Sequence, residues 1–362
     1  MHLITTLEEE KTPYYDPRYF YPARLGDVLH GRYQIVTKIG FGTGSTVWLA
    51  RDLFQWCAER FVVTKINAAY NPASPVPTTE DELRISQIVS KTDPSHIGWH
   101  FVRTLLDTFT FSGQYGDHVC LVFEPLREPL LLVQKRFKGK VIPPEILKIM
   151  VEMMLHALDY LHRVCHVVHT DIKSDNIMMT FEDKSLLERD VRDEYRNPLP
   201  QKRCADRTIY LSRNNYGQPK RIKKDNWNNG ELLRAPEVIL DAGWSYSADI
   251  WSFGLMLYEL LEYRIFFRAS EPVEDEYDDQ LHLVYITALL GPPPREPLEK
   301  GRRTSLCYDS KGILEPPIKI PTGFNLEKRD MFIRFLSRML KWKPEDRPTA
   351  KELLDNPWLR RY

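Results

Sequence analysis

Apolar and β-branched residues gather in short, strand-length runs over the first third of the chain: Tyr33–Lys38, Thr46–Arg51, Phe61–Asn67 and Asp117–Phe123. Runs of this length and composition predict β-strands. One helix is predicted between them, around Thr79–Ser90. After Pro143-Pro144 the period becomes helical, with Ile146, Met150, Met153, Ala157 and Tyr160 recurring at three- and four-residue steps. Ala248–Leu261 is apolar nearly all round its helical circumference, which predicts a helix buried at the centre of a domain. The stretch Thr180–Asn229 is crowded with Asp, Glu, Arg, Lys and Asn and offers only Thr208–Leu211 as a short strand. The pattern is therefore β-rich first and mostly helical afterwards, an α+β chain with no internal repeat.

Composition narrows the classes. With 362 residues, 43% of them apolar and 12% aromatic, the chain can bury one large core or two unequal ones. Fifty basic and fifty acidic side chains cancel, so no global field points to nucleic acid or an anionic membrane, and charge-based recognition must be local. The cysteines (Cys57, Cys120, Cys165, Cys204, Cys307) are odd in number and scattered, which suits reduced thiols in the cytosol or nucleus. No basic stretch followed by an apolar run opens the chain, and no apolar run approaches about 18 residues, so neither secretion nor a membrane span is expected.

Several motifs carry chemistry. Gly40-Phe41-Gly42-Thr43-Gly44-Ser45-Thr46-Val47 lies between two predicted strands and can fold as a hairpin whose backbone N–H groups approach phosphates. A glycine-rich hairpin alone is a turn more often than a phosphate site. Here, however, Lys65 lies on the strand after next, in Phe61-Val62-Val63-Thr64-Lys65, and a lysine flanked by apolar residues needs a counter-charge. Glu82 is the first candidate for that charge, with Glu80 and Asp81 as near alternatives. His169-Thr170-Asp171-Ile172-Lys173-Ser174-Asp175-Asn176 fits H-x-D-x-x-x-x-N residue for residue. Phosphoryl transfer needs a carboxylate to orient the attacking hydroxyl, a cation for the γ-phosphate charge and an amide oxygen for a metal ion; Asp171, Lys173 and Asn176 supply these types. His162, Cys165, His166 and His169 match no common zinc spacing. Downstream stand Arg234-Ala235-Pro236-Glu237, Asp249-Ile250-Trp251-Ser252-Phe253-Gly254 and Asp346-Arg347-Pro348.

Together these strings resemble the eukaryotic protein kinases over roughly residues 33 to 360. The segment Tyr14–Tyr33, the run Ser45–Ala50 and His169-Thr170-Asp171 resemble the SR protein kinases, particularly fungal ones. The resemblance implies a two-lobed protein kinase fold with a small β-rich N-lobe and a larger α-helical C-lobe. It divides the chain into an N-terminal extension (1–32), an N-lobe (33–124) and a C-lobe (125–362), with an irregular, truncated activation segment at 180–230 and an insert at 262–302. It implies ATP and Mg²⁺ as cofactors and Arg/Ser-rich proteins as substrates, for a monomer of the cytoplasm or nucleus that contacts neither nucleic acid nor membrane. Asp171, Lys173 and Asn176 become the catalytic set, with Asn176 a metal ligand and Asp225 a weak second candidate. Gly40, Gly42, Gly44, Val47, Lys65, Glu82, Glu124 and Leu126 become the ATP-binding set, and Glu237, Asp249 and Arg347 structural residues. Val63 stands where Ala is usual, which would narrow the adenine pocket. Thr170 cannot make the charge-assisted grip on a phosphorylated loop that Arg makes there, so switching by loop phosphorylation is not expected. An acidic run in the insert (Glu271, Glu274, Asp275, Glu276, Asp278, Asp279) reads first as a solvated loop and second as a dock for basic substrates.

One part is missing: no Asp-Phe-Gly occurs between Asn176 and Ala235, and Asp225 stands only ten residues before Ala235. Three readings stay open: an active kinase from which a segment has been lost, a pseudokinase acting as a binding module, and a weak kinase using another acid for the metal.

Overall fold

The computed structural model describes residues 6–13, 15–54, 59–72, 79–213, 231–262, 277–314 and 330–360. In chain order its strands and first helices are β1 (Val28–Leu29), β2 (Tyr33–Gly42), β3 (Ser45–Asp52), β4 (Phe61–Asn67), α1 (Thr79–Lys91), β5 (Leu105–Gly113), β6 (Gly116–Phe123), β7 (Leu126–Pro129), α2 (Leu130–Gln134), α3 (Pro144–Asp159), β8 (Met178–Thr180), α4 (Ser185–Arg196), β9 (Gln201–Arg203) and β10 (Thr208–Tyr210). Helices α5 (Pro236–Ile239), α6 (Tyr246–Glu262), α7 (Asp279–Leu290), α8 (Arg295–Lys300), α9 (Asp330–Met339), α10 (Ala350–Leu354) and α11 (Pro357–Arg360) follow. The described residues of Met1–Pro94, Val102–Glu128 and Met178–Gln218 form one compact unit, and those of Ser95–Phe101, Pro129–Ile177 and Pro219–Tyr362 a second.

The first unit is built on an antiparallel sheet in the order β1-β2-β3-β4-β6-β5. Alternation along the strands sends Tyr33, Ile35, Trp48, Ala50, Val62, Ile66, Cys120 and Val122 into one buried cluster. Two register shifts in β2, between Ile35 and Thr37 and between Lys38 and Gly40, re-aim its side chains before the glycine hairpin. One consequence is that Lys38 is wholly buried, which demands compensation. Its Nζ pairs with Glu9 and with Glu8 (3.3 Å) and donates to the Tyr210 carbonyl (3.0 Å). Residues 7–11 and the β9–β10 hairpin are thereby tied to the sheet, and Tyr210 packs edge-on to Trp48. So the segment around 178–213, expected in the helical part, belongs to the β-rich unit.

Helix α4 was hidden in the sequence by its charge. Of its few apolar residues, Leu187 and Val191, one turn apart, pack on Leu49, Phe61 and Ile39 of the sheet. Glu194 at its far end binds Arg213 (2.6 Å), whose N–H donates to the Lys38 carbonyl (2.7 Å).

In the second unit α3 starts with Pro144 at its first turn, where the missing N–H costs nothing. It buries Leu147, Val151, Met154, Leu155 and Leu158. The apolar stripe that marks it in the sequence is the other side: Ile146 and Met153 are each 42% exposed, although Tyr160 beyond its end is buried. A helix apolar on both sides gives the period without the phase. A single π-turn at Tyr160–Val164 ends it, closed by Cys165 N–H to the Tyr160 carbonyl. Helix α6 is buried on nearly all sides, from Ala248 to Leu261. At Gly254 an added Cβ would stand 3.1 Å from the Met339 Cβ, so glycine permits the close approach of α9. The described cysteines, Cys120, Cys165, Cys204 and Cys307, are free thiols.

His282 of α7 is fully buried, and burial, followed by the positive charge of Arg234, pushes its imidazole down to about 3. Because the folded value lies below the unfolded one, its contribution to stability is present above pH 6.5 and lost as pH falls toward 3. Between pH 7 and 5 this group alone should cost about 2 kcal/mol. A His282→Gln variant, compared by urea denaturation at both pH values, should lose less stability on acidification than the parent chain; equal losses would contradict the assignment.

Candidate active site

The glycine hairpin is formed by β2 and β3, with Gly40 opposite Val47, Phe41 opposite Thr46 and Gly42 opposite Ser45, leaving Thr43-Gly44 as the turn. Val47 pairs in turn with Lys65 on β4. Lys65 Nζ lies 2.5 Å from Glu82 Oε1 of α1. Of the three acids at the start of α1, Glu82 is therefore the one that meets Lys65; Asp81 faces Arg84 (3.3 Å) on the helix surface. Both partners are partly exposed, at 23% and 39%. The Glu124 carboxylate, beyond β6, binds Arg60 (2.7 Å), and Leu126 opens β7.

In the second unit Asp171, Lys173 and Asn176 come together. Lys173 Nζ is 3.0 Å from Asp171 Oδ2, and Asn176 Nδ2 donates both to that oxygen (2.7 Å) and to the Asp171 carbonyl (2.8 Å). The Asp171 carboxylate stays 49% exposed, open to a reacting group. Its loop is strained. Thr170 has φ of +67°, a left-handed conformation that costs a β-branched residue on the order of 1–2 kcal/mol. Asp249, at the start of α6 and 1% exposed, holds it there. Its carboxylate accepts the N–H of His169 (2.7 Å) and of Thr170 (2.8 Å) and meets His162 Nε2 (2.8 Å). Burial pushes the His169 imidazole down and the Asp175 carboxyl up. Asp249→Asn would turn an acceptor into a donor facing buried N–H groups and should cost about 3 kcal/mol in urea denaturation, whereas a loss under about 1 kcal/mol would refute the anchoring role.

Glu237 of α5 and Arg347 form a buried bidentate pair, at 2.6 and 2.7 Å. Asp225 lies outside the described residues, as do Glu271, Glu274, Asp275 and Glu276 of the acidic run. The remainder of that run is structurally engaged: Asp278 caps α7 through the N–H groups of Gln280 and Leu281, and Asp279 binds Arg303. Among the described residues no group of three or more His, Cys, Asp or Glu could hold a metal ion.

Comparison with known proteins agrees with this geometry. The protein kinase domain family matches residues 33–190 and 216–359. A serine/threonine protein kinase of Aspergillus fumigatus is 35% identical over 98% of this chain and 91% of its own length. The serine/threonine-protein kinase SRPK of Physarum polycephalum is 30% identical over 97% of the chain and 91% of its own length. The chain belongs to the SR protein kinase family. Protein kinase dsk1 of Schizosaccharomyces pombe, 26% identical over 99% of the chain, is a further relative of this serine/threonine protein kinase. A solved kinase domain, 23% identical, superposes with a TM-score of 0.67 over 95% of the chain, which supports the kinase fold. The family match breaks off at 190 and resumes at 216, so the second half of α4 and the whole β9–β10 hairpin lie outside the matched residues. Sequence reasoning missed this kinase's α4 and the buried Lys38.

Proposed function

We propose that this chain transfers the γ-phosphate of ATP to serines in Arg/Ser-rich proteins. The observation that carries the reading is the closed set of contacts among Asp171, Lys173 and Asn176, which orients one exposed carboxylate with a cation beside it. In this reading Asp171 accepts the hydrogen bond of the attacking serine hydroxyl, and Lys173 faces the developing phosphoryl charge. Gly40, Gly42 and Gly44 cover the phosphates, Lys65 binds them while Glu82 orients it, and Val47, Glu124 and Leu126 meet the base. Because the Asn176 amide N–H₂ is engaged by Asp171, its Oδ1 is left to a metal ion, which suits a Mg²⁺ that takes few protein ligands beside phosphate and water. Bound Mg²⁺ would neutralise charge on the phosphate oxygens. A shallow pocket next to Asp171, walled by Ile172, Leu233, Ala235, Val238 and Trp244, offers an apolar seat for a neighbouring peptide side chain. With Thr170 in place of an arginine, activity independent of loop phosphorylation follows. A monomer of cytoplasm or nucleus fits these substrates, and no described helix is long and apolar enough to cross a membrane.

A second reading, a binding module without turnover, draws on the lack of Asp-Phe-Gly between Asn176 and Ala235. Thermal unfolding with ATP separates the two. ATP should raise the melting temperature more with Mg²⁺ than with EDTA; a shift indifferent to metal would favour the binding module.

A further inference from the structure

Lys38 is a buried charge two residues before Gly40, and its contacts reach the glycine hairpin itself. Residues an odd number apart on a regular strand point to opposite faces. The register shift after Lys38 makes Ile39 an extra residue: Lys38 pairs with Trp48, Gly40 with Val47 and Phe41 with Thr46. Lys38 and Phe41 thereby come to one face of β2, and the Lys38 ammonium lies 5.5 Å from the centre of the Phe41 ring. Phe41 stands between Gly40 and Gly42 and is 42% exposed, so packing holds its ring only in part.

The ammonium is fixed from its other sides. The buried Glu9 and Glu8 (3.3 Å) pair with Nζ, which also donates to the Tyr210 carbonyl (3.0 Å). These acids are held in turn by the β9–β10 hairpin and the residues after it. Glu8 accepts the N–H (2.9 Å) and the hydroxyl (2.5 Å) of Ser212, and the neighbouring Glu10 binds Lys202 (2.8 Å). The Arg213 N–H completes the ring of contacts on the Lys38 carbonyl (2.7 Å). Stability alone does not call for a cation here, because apolar residues of similar volume often replace buried ion pairs with no loss. What the ammonium supplies is direction. Two carboxylates and a carbonyl set its place, and from there it attracts the negative face of the Phe41 ring.

We propose that Lys38 is a positioning residue for binding of the nucleotide phosphates, held by Glu8 and Glu9 and acting through Phe41: it fixes the ring and with it the backbone N–H groups of the glycine hairpin. The proposal rests on the reading of Gly40, Gly42 and Gly44 as the phosphate cover. It is tested by isothermal titration of the full chain with ATP and Mg²⁺, and with adenosine, which has the base and no phosphate, using Lys38→Met, Phe41→Leu and the double variant. Lys38→Met should weaken ATP binding about fivefold, the size of a partly dehydrated cation–ring contact, and leave adenosine binding unchanged. Phe41→Leu should do the same. The double variant should bind ATP as the weaker of the two single variants does, because the two residues act as one. Unchanged ATP affinity, an equal loss for adenosine, or losses that multiply in the double variant would overturn the proposal. Should Lys38→Met fail to fold, Glu9→Gln serves, since it keeps the shape and removes a charge that holds Lys38. It must weaken ATP binding in the parent chain and not in Phe41→Leu; a loss in both, or in neither, would overturn the proposal. A parent chain that binds ATP no tighter than adenosine would overturn the reading of the phosphate site and this inference together, whereas a parent that binds ATP tighter, with no loss in Lys38→Met, overturns the inference alone.

Discussion

Asp171→Ala should lower phosphoryl transfer to an Arg/Ser peptide by about a thousandfold, the middle of the range for a positioned acid–base group. A serine hydroxyl attacks poorly unless a carboxylate takes its hydrogen bond in line with the phosphoryl group. Asn176 and Lys173 fix that carboxylate from two sides, and Asp249 fixes the loop below it. The loss should fall on kcat, with the KM for ATP little changed, because in the proposed reading Asp171 meets the hydroxyl and not the nucleotide. Asp171→Asn keeps the shape and removes the charge, so it should be nearly as slow. Initial rates with labelled ATP read both variants; unchanged turnover in either would remove Asp171 from the mechanism.

Arg347→Ala should destabilise the chain by about 4 kcal/mol, the cost of leaving one member of a buried ion pair alone. Glu237 and Arg347 side chains are 2% and 0% exposed. The guanidinium also donates to the carbonyls of Ser247 (3.0 Å) and Lys341 (2.8 Å) and lies over Trp251, so three segments lose their common partner at once. Glu237→Ala should cost a similar amount. Replacing both by apolar residues should cost clearly less than the sum, since neither variant then leaves a lone buried charge. Urea denaturation of the two single variants and the double variant closes this cycle; additive losses would show that the pair is not coupled.

Much of the frame could be read from residue order. Strands β2, β3, β4 and β6 show themselves because β-branched residues recur with clear turns between them, and α6 because nothing polar interrupts its circumference. The catalytic string needs no tertiary knowledge, since its three groups lie within six residues of one another. Other features depended on packing. The acids at 80, 81 and 82 are equivalent in the sequence, and only the docking of α1 on the sheet selects Glu82. The burial phase of α3 was hidden because both its faces are apolar. Helix α4 reads as a charged loop, because two apolar residues become a packing face only when the sheet supplies Leu49 and Phe61. Nothing in the run Tyr33–Lys38 marks Lys38 for burial; that follows from residues 7–11 and the β9–β10 hairpin closing over it, contacts separated by up to 172 residues along the chain.

The most direct test of the central claim is the initial rate of phosphate transfer from ATP and Mg²⁺ by the purified chain to an Arg/Ser-repeat peptide, beside the same peptide with Ala for Ser. The account predicts transfer to the first, none to the second, and loss of transfer in Asp171→Ala. ATP binding with no transfer to the Arg/Ser peptide would contradict it and leave the chain a binding module.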